Sequence, residues 1–321
     1  MIDKLEMFLA LAKARHFGRA AEARGISQPS LSAAIRSLEA ELGVQLVRRG
    51  ARFQGLTPEG EAALGWARRI VADARQMRAE LRDRDGGLAG ALRLGVIPTA
   101  LPFAGRLVAP LLAQHPGLAV SIQSMTSAEV LAGIEALTLE AGISYLDNEP
   151  LGRVATLPLY RESYRLLVAR DHPLAAHEAL GWADLAGQRL CLLGPEMQNR
   201  RIVDARLAAA GVSPRVGMQS NSILALAGLV AAGGWAAVVA DEVARVLTGD
   251  GQVAIPIREA GGQGGFTLGL IAPARDPALP AVAALWALAQ GGRRRDRPGT
   301  VADPVASSPV AGPVAGNPPR R

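Results

Sequence analysis

Residues 20–43 read AAEARGISQPSLSAAIRSLEAELG, and the reading of this stretch decides the fold of the amino-terminal part. Leu31, Ile35, Leu38 and Leu42 follow one another at steps of four, three and four, which places them on one helical face. Ser27 can cap that helix by accepting a backbone N–H, and Gly43 can end it. Upstream, Ala20, Ala21 and Ala23 form a short helix that stops before Gly25. Two helices meeting at a sharp turn need a small residue where their backbones approach and a residue free to take positive φ. Ala21 and Gly25 supply these, Leu31 fills the core six residues on, and the trio predicts a helix-turn-helix. Leu5, Phe8, Leu9 and Ala12, also at helical spacing, predict the helix in front of it.

The face opposite Leu31 and Ile35 carries Gln28, Pro29, Ser32, Ala33 and Arg36, with Ser27 and Ser30 at its start. Such a face suits the major groove of duplex DNA: Gln and Arg can make paired hydrogen bonds to base edges, Ser can reach either strand, and Ala or Pro can touch a thymine methyl. Beyond Gly43, Leu46 and Val47 return to the core, and Arg48, Arg49 and Arg52 cluster before Leu56, Thr57 and Pro58. A short two-stranded wing bearing these arginines would hold phosphates, giving affinity and register rather than sequence choice.

The charge distribution points the same way. The 321 residues carry 35 Lys and Arg against 29 Asp and Glu, a net +6. Residues 1–60 hold nine cations and six anions and residues 291–321 hold six and two, which leaves 61–290 with a net −1. A basic head on a nearly neutral body is the pattern of a nucleic-acid binder. The segment 291–321 has six prolines and no Leu, Ile, Met or aromatic residue, so it is expected to be a disordered Arg/Pro-rich tail.

Thr57 and Pro58 can start a helix, and neither Gly nor Pro occurs in 66–85, so one linker helix is expected over 58–85. Ala63, Ala67, Ile70, Ala74, Met77 and Leu81 form a seven-residue seam along it. The seam could pack on its own head, but Leu64, Trp66 and Val71 offer a second face for that, so the seam is assigned to dimerisation. Gly86, Gly87 and Gly90 then make a hinge into the body.

From residue 91 strands and helices alternate at lengths that mean parallel α/β: strands near 92–96, 118–124, 141–145, 164–169, 189–193, 215–219, 235–239 and 266–272, with a closing helix near 279–290. Ligands of open parallel sheets sit off the carboxyl ends of strands, where helix amino termini converge. Those ends carry Thr99, Ser124, Thr126, Ser127, Ser144, Ser220, Asn221 and Ser222, a set of hydroxyl and amide groups that would seat a small anion such as a carboxylate.

Several chemistries are excluded. Lys4 and Lys13 are the only lysines, so a phosphate-binding P-loop, a pyridoxal Schiff base and a kinase strand lysine have no candidate. Cys191 is the sole cysteine, within the apolar run 190–193, so it reads as a buried inert thiol with no second cysteine for a disulfide switch. His177-Glu178 opens like a zinc-protease motif, but Gly181 stands where the second ligand is needed; His16, His115 and His172 form no ligand set, and neither metal nor cofactor is expected. Gly261, Gly262, Gly264 and Gly265 lack the spacing of a dinucleotide loop and read as a surface loop. The uncharged run 223–240 is broken by Gly233-Gly234 and reads as a buried helix and a strand rather than a membrane span. The apolar run 7–12 is too short for a signal peptide, so the chain reads as cytoplasmic.

Ala20-Ala21, Ser27-Gln28-Pro29-Ser30-Leu31-Ser32, Ile35, Leu38-Glu39, Leu42-Gly43, Leu46, Arg49 and Leu56-Thr57-Pro58-Glu59-Gly60 together resemble the winged helix-turn-helix of the LysR-type transcriptional regulators. The resemblance covers nearly all of residues 1–60. It departs at Val47, where the family usually has Phe, and at Ala33-Ala34, where polar residues are common, which weakens a base-reading role for Ala33. It implies a winged helix-turn-helix head over 1–60, dimerisation through the linker helix, and an α/β effector domain over 91–290. That domain would have two subdomains like those of periplasmic binding proteins, 91–160 with 267–290 and 161–266. The family binds an inverted DNA repeat as a homodimer or a dimer of dimers, answers a small-molecule effector and, where it activates, meets RNA polymerase. Thr99 and Thr126 lie at positions that commonly contact effector, and Ser220 to Ser222 flank the other side. The competing reading is a small-molecule-binding protein or enzyme whose basic head serves only assembly.

Overall fold

The computed structural model describes residues 1–48, 50, 53–82, 87–249, 251–258, 265–274 and 278–295, with backbone alone at 76, 79–82 and 292–295. Arg49, Arg52, the side chain of Leu81, Gly86, the loop 261–264 and the tail from 296 on lie outside that description.

The head is three helices, α1 (Ile2–Ala14), α2 (Phe17–Ala23) and α3 (Gln28–Leu42). Gly25 takes φ +65° at the turn, Ser27 Oγ accepts the Ser30 N–H at 3.3 Å, and Gly43 ends α3 at φ +71°. Leu31, Ile35 and Leu38 join Leu5, Phe8, Leu11, Ala20 and Ala21 in one core. Leu42 does not: it is 42% exposed, because the last turn of α3 projects past the edge of that core. A bridge between Val47 and Leu56 pairs the two arms of the segment that follows. Glu39 fixes its entry, since Oε1 accepts the N–H groups of Leu46 (2.8 Å) and Val47 (3.1 Å).

The linker helix α4 (Pro58–Arg82) starts where Thr57 Oγ1 accepts the Gly60 N–H at 2.9 Å. The body continues with β1 (Gly90–Val96), α5 (Leu101–Gln114), β2 (Leu118–Ser124), α6 (Ser127–Glu135), β3 (Ala141–Tyr145), β4 (Val154–Arg161), β5 (Tyr164–Ala169) and β6 (Leu180–Gly181). It ends with β7 (Arg189–Leu193), α7 (Gln198–Ala209), β8 (Arg215–Ser220), α8 (Ile223–Ala231), β9 (Ala236–Ala240), α9 (Asp241–Leu247), β10 (Gln252–Arg258), β11 (Thr267–Pro273) and α10 (Pro280–Arg295). Helix α10 runs five residues beyond the expected stop at Gln290.

Two sheets form, one in the order β2-β1-β3-β11-β4 and the other β6-β10-β5-β9-β7-β8. Neither is wholly parallel as alternation suggested: β11 runs antiparallel to β3 and β4, and β5 antiparallel to β9 and β10. The chain crosses between sheets from β4 to β5 through Glu162 and Ser163, and again from β10 to β11. The crossings touch. Glu162 N–H donates to Phe266 O at 2.9 Å, Arg161 Nε donates to Gly265 O at 2.9 Å, and a Cβ on Gly265 would fall 1.5 Å from the Glu162 carbonyl oxygen. Within 223–240, Gly233 and Gly234 take positive φ and divide α8 from β9; among the described residues no helix is long and apolar enough to cross a membrane.

Candidate nucleic-acid interface and ligand cleft

The outer face of α3 is open. Ser27, Gln28, Pro29, Ser30, Ala33 and Arg36 are exposed and Ser32 is half-buried, while Leu31 and Ile35 on the other side are sealed. Ser27 and Ser30 are partly committed to each other, with their hydroxyls 2.8 Å apart at the helix start. Arg48 is exposed, its N–H donating to Gly55 O and its Nε to Leu56 O at 3.1 Å, so it also holds the strand pair together.

The seam on α4 divides. Ala63, Ala67 and Val71 pack on the head and Ala74 is buried as well, whereas Trp66 (63% exposed), Ile70 (41%) and Met77 (52%) point away. The large apolar side chains left exposed on α4 are Trp66, Ile70 and Met77; Ala67 and Ala74, expected in an outward seam, are buried, and Trp66, expected against the head, is not. The reason is size. Small residues let α4 lie close against α1, and the larger apolar side chains are left outside. Glu6 of α1 ties the arrangement, accepting from Arg75 Nη2 of α4 (2.8 Å) and Arg24 Nη2 of α2 (2.5 Å). Burial pushes the Glu6 carboxyl up, but these hydrogen bonds outweigh it and hold the group below its ordinary value.

The eight polar residues proposed for a ligand fall into three places. Thr99 is 2% exposed in the turn before α5, with its hydroxyl unpartnered. Ser127 and Ser144 are also buried with unpartnered hydroxyls. Strand alternation turns Ser144 to the side of Gly142, where α6 packs through Val130. Thr126 closes a capping box with Glu129: its Oγ1 accepts the Glu129 N–H (3.2 Å) and Glu129 Oε2 accepts the Thr126 N–H (2.8 Å). Ser124 ends the edge strand β2, and Ser220, Asn221 and Ser222 follow the opposite edge strand β8, where Ser220 Oγ accepts the Ser222 N–H at 3.1 Å. No hydrogen bond among the described residues joins these two edges to Thr99.

What gathers beside Thr99 is a group that spacing did not reveal: Tyr145, Glu162, Tyr164 and Asn199, all buried between the sheets. Tyr145 OH donates to Glu162 Oε2, and Asn199 Nδ2 donates to Tyr145 OH (3.1 Å) and to Glu162 Oε2 (3.3 Å). Burial raises the Glu162 carboxyl above its ordinary value; Tyr145, Thr99, Tyr164 and Asn199 favour its charged form without reversing that. Burial, with the Glu162 charge second, also raises Tyr145 and Tyr164 well above the usual phenol range. Glu162 Oε1 and the Tyr164 hydroxyl have no hydrogen-bond partner. Two ion pairs link the sheets around this group, Arg106 of α5 with Glu242 of α9, and Arg201 of α7 with Glu149 at 2.6 Å.

The histidines serve the backbone: Nδ1 of His16, His115 and His172 accepts the N–H of Arg19, Leu88 and Leu174 respectively. Cys191 is buried in β7, its thiol pushed up to about 11 by burial.

Residues 2–61 match the family described as bacterial regulatory helix-turn-helix protein, lysR family, and residues 85–293 match the LysR substrate binding domain. OxyR of Escherichia coli, a DNA-binding transcriptional dual regulator, is 32% identical over 233 residues, 72% of this chain and 76% of that protein. A full-length OxyR variant from Pseudomonas aeruginosa superposes with TM-score 0.66 at 26% identity, covering 90% of this chain and 96% of that one. CbnR complexed with its target DNA shares the fold at TM-score 0.64 and 24% identity, over 91% of this chain and 99% of that one. With both halves matched, the chain belongs to the LysR family of bacterial helix-turn-helix transcriptional regulators.

Proposed function

We propose that this regulator binds an inverted DNA repeat through two copies of α3 and answers a small organic anion held between its two sheets. The exposed polar face of α3, from Ser27 to Arg36, carries the first half of the reading. Gln28 and Arg36 are the side chains able to pair with base edges, and Arg48, Arg49 and Arg52 of a wing joined at Val47 and Leu56 would hold phosphates. A homodimer joined along α4, or a pair of such dimers, would present half-sites roughly 34–36 Å apart. Such a protein works on chromosomal DNA, hence in the cytoplasm.

The second half rests on Thr99, whose buried hydroxyl stands unpartnered at the start of α5, where helical N–H groups favour negative charge. Several relatives are named hydrogen peroxide-inducible genes activators. Peroxide sensing by thiol chemistry is a poor match here. It needs an accessible thiolate and a second thiol, whereas Cys191 is alone, buried and of high pKa.

Mobility shifts with the DNA upstream of the gene test the first half. Arg36→Ala relaxes operator choice by about 1–3 kcal/mol, whereas Arg49→Ala weakens all DNA alike and lowers the salt slope by about one. Equal loss of discrimination in both variants sinks the assignment. For the second half, Thr99→Val removes the response to ligand in the same assay while keeping the thermal midpoint, since it deletes an unpartnered buried hydroxyl at nearly constant volume. An unchanged response moves the ligand elsewhere.

A further inference from the structure

Glu162 lies where a carboxylate is costly. It is 2% exposed, and the side chains that hydrogen-bond to it, Tyr145 and Asn199, are neutral. An isolated charge in such a place loses its hydration without full compensation. The hydrogen-bond directions say which oxygen would carry a proton. Asn199 Nδ2 donates to the Tyr145 oxygen, so the single phenolic hydrogen of Tyr145 is the one that reaches Glu162. Both donors converge on Oε2. Oε1 is left for the proton.

The other groups around Glu162 are Thr99 from the turn before α5, Tyr164 from β5 and Tyr160 from β4. The charged groups nearest this cluster are occupied: Arg106 pairs with Glu242, and Arg161 donates to Gly265 O. Burial keeps all three phenols protonated across the neutral range. Burial raises Glu162 while it lifts the phenols further from neutrality, so Glu162 is the member of the cluster whose charge can change. Thr99 Oγ1 and Glu162 Oε1 are both buried, unpartnered atoms of this cluster, so the state of Glu162 would set the direction of the Thr99 hydroxyl. A charged Glu162 draws the Thr99 hydrogen toward itself and turns lone pairs outward, against an anion. A neutral Glu162 frees that hydrogen to point at one. Direct repulsion between two negative charges in a dry site has the same sign.

We propose that Glu162 is the proton-holding partner of Thr99, so that the cleft takes a small carboxylate only while Glu162 is neutral, and binding draws a proton from solution onto its Oε1. This rests on the reading that Thr99 contacts the ligand, and it adds a specificity-determining residue and a coupling to pH. The proton comes from buffer and stays on the carboxyl; no covalent bond to the ligand forms.

Calorimetric titration of the full-length protein with acetate, lactate and benzoate tests it, in two buffers of different ionisation heat and across a pH series. The expected result is proton uptake on binding of at least one of the three, with affinity falling about tenfold for each pH unit once Glu162 titrates. Glu162→Gln, which keeps an acceptor for Tyr145, binds with a flat pH profile and no dependence on buffer. Wild-type binding that ignores pH and buffer overturns the proposal and leaves the cleft reading standing. Binding that survives Thr99→Val unchanged overturns the cleft reading as well. Failure of all three carboxylates to bind removes the ligand class and the proposal with it. Infrared spectra of the wild type with and without ligand give a readout independent of any variant: a protonated-carboxyl carbonyl band that grows when the ligand is added supports the assignment, and its absence from the ligand-bound protein overturns it.

Discussion

Alanine at position 265 is expected to cost the body about 3 kcal/mol and to lower its thermal midpoint accordingly. The added Cβ would sit 1.5 Å from the carbonyl oxygen of Glu162. A flexible side chain could move aside; this neighbour is backbone, and it is pinned. Glu162 N–H is bonded to Phe266 O and the Arg161 guanidinium to Gly265 O, so parting the two strands of the crossing breaks contacts on both. Displacement there also disturbs the Tyr145, Glu162 and Asn199 hydrogen bonds, so ligand response falls with stability. Gly228→Ala in α8 is the matched control. Nothing lies within 4 Å of its added Cβ, and alanine there should stabilise by about 0.5–1 kcal/mol. Melting curves that move equally for both variants would refute the account.

The second large effect concerns assembly. Ile70→Asp places a charge in the middle of the exposed face made by Trp66, Ile70 and Met77, and is expected to yield a monomer by sedimentation. Loss of bivalency then weakens binding to a two-half-site operator by about 10²–10⁴-fold, while a single half-site is bound as before. Ala67→Asp should behave differently. Ala67 is 1% exposed against its own head, so a charge there unfolds the head and abolishes half-site binding too. An Ile70→Asp protein that remains dimeric would place the interface elsewhere.

The head was readable because its determinants are local: Ala21, Gly25 and Leu31 act within one turn of chain, and the caps at Ser27 and Gly43 adjoin the helix they bound. The seam on α4 was harder. A seven-residue stripe has two sides, and only the packing of α1 shows that the small residues face inward. In the body, β4 and β10 carry Pro158 and Pro256, which argue against strands in a linear reading. Pro158 is tolerated opposite Gly269, where the register shifts, and Pro256 is placed opposite Arg165. The antiparallel members of each sheet follow from the two crossings, which no short window contains. The Glu162 cluster is the extreme case: it draws on residues 99, 145, 162, 164 and 199, whose separations carry no period. A single acid within the aromatic-flanked stretch 160–164 was the one available sign.

The paired crossings limit how the two halves of the body can move. A lone strand between two lobes permits swivelling about its own bonds in any direction. Two crossings tied to each other at Glu162–Phe266 and Arg161–Gly265 oppose that freedom and favour opening and shutting about the line that joins them, as the covers of a book move on its spine. Were a ligand held between the sheets, as proposed, its message to the head would reduce to one angle, and two ligands of opposite effect would differ in which way they turn it.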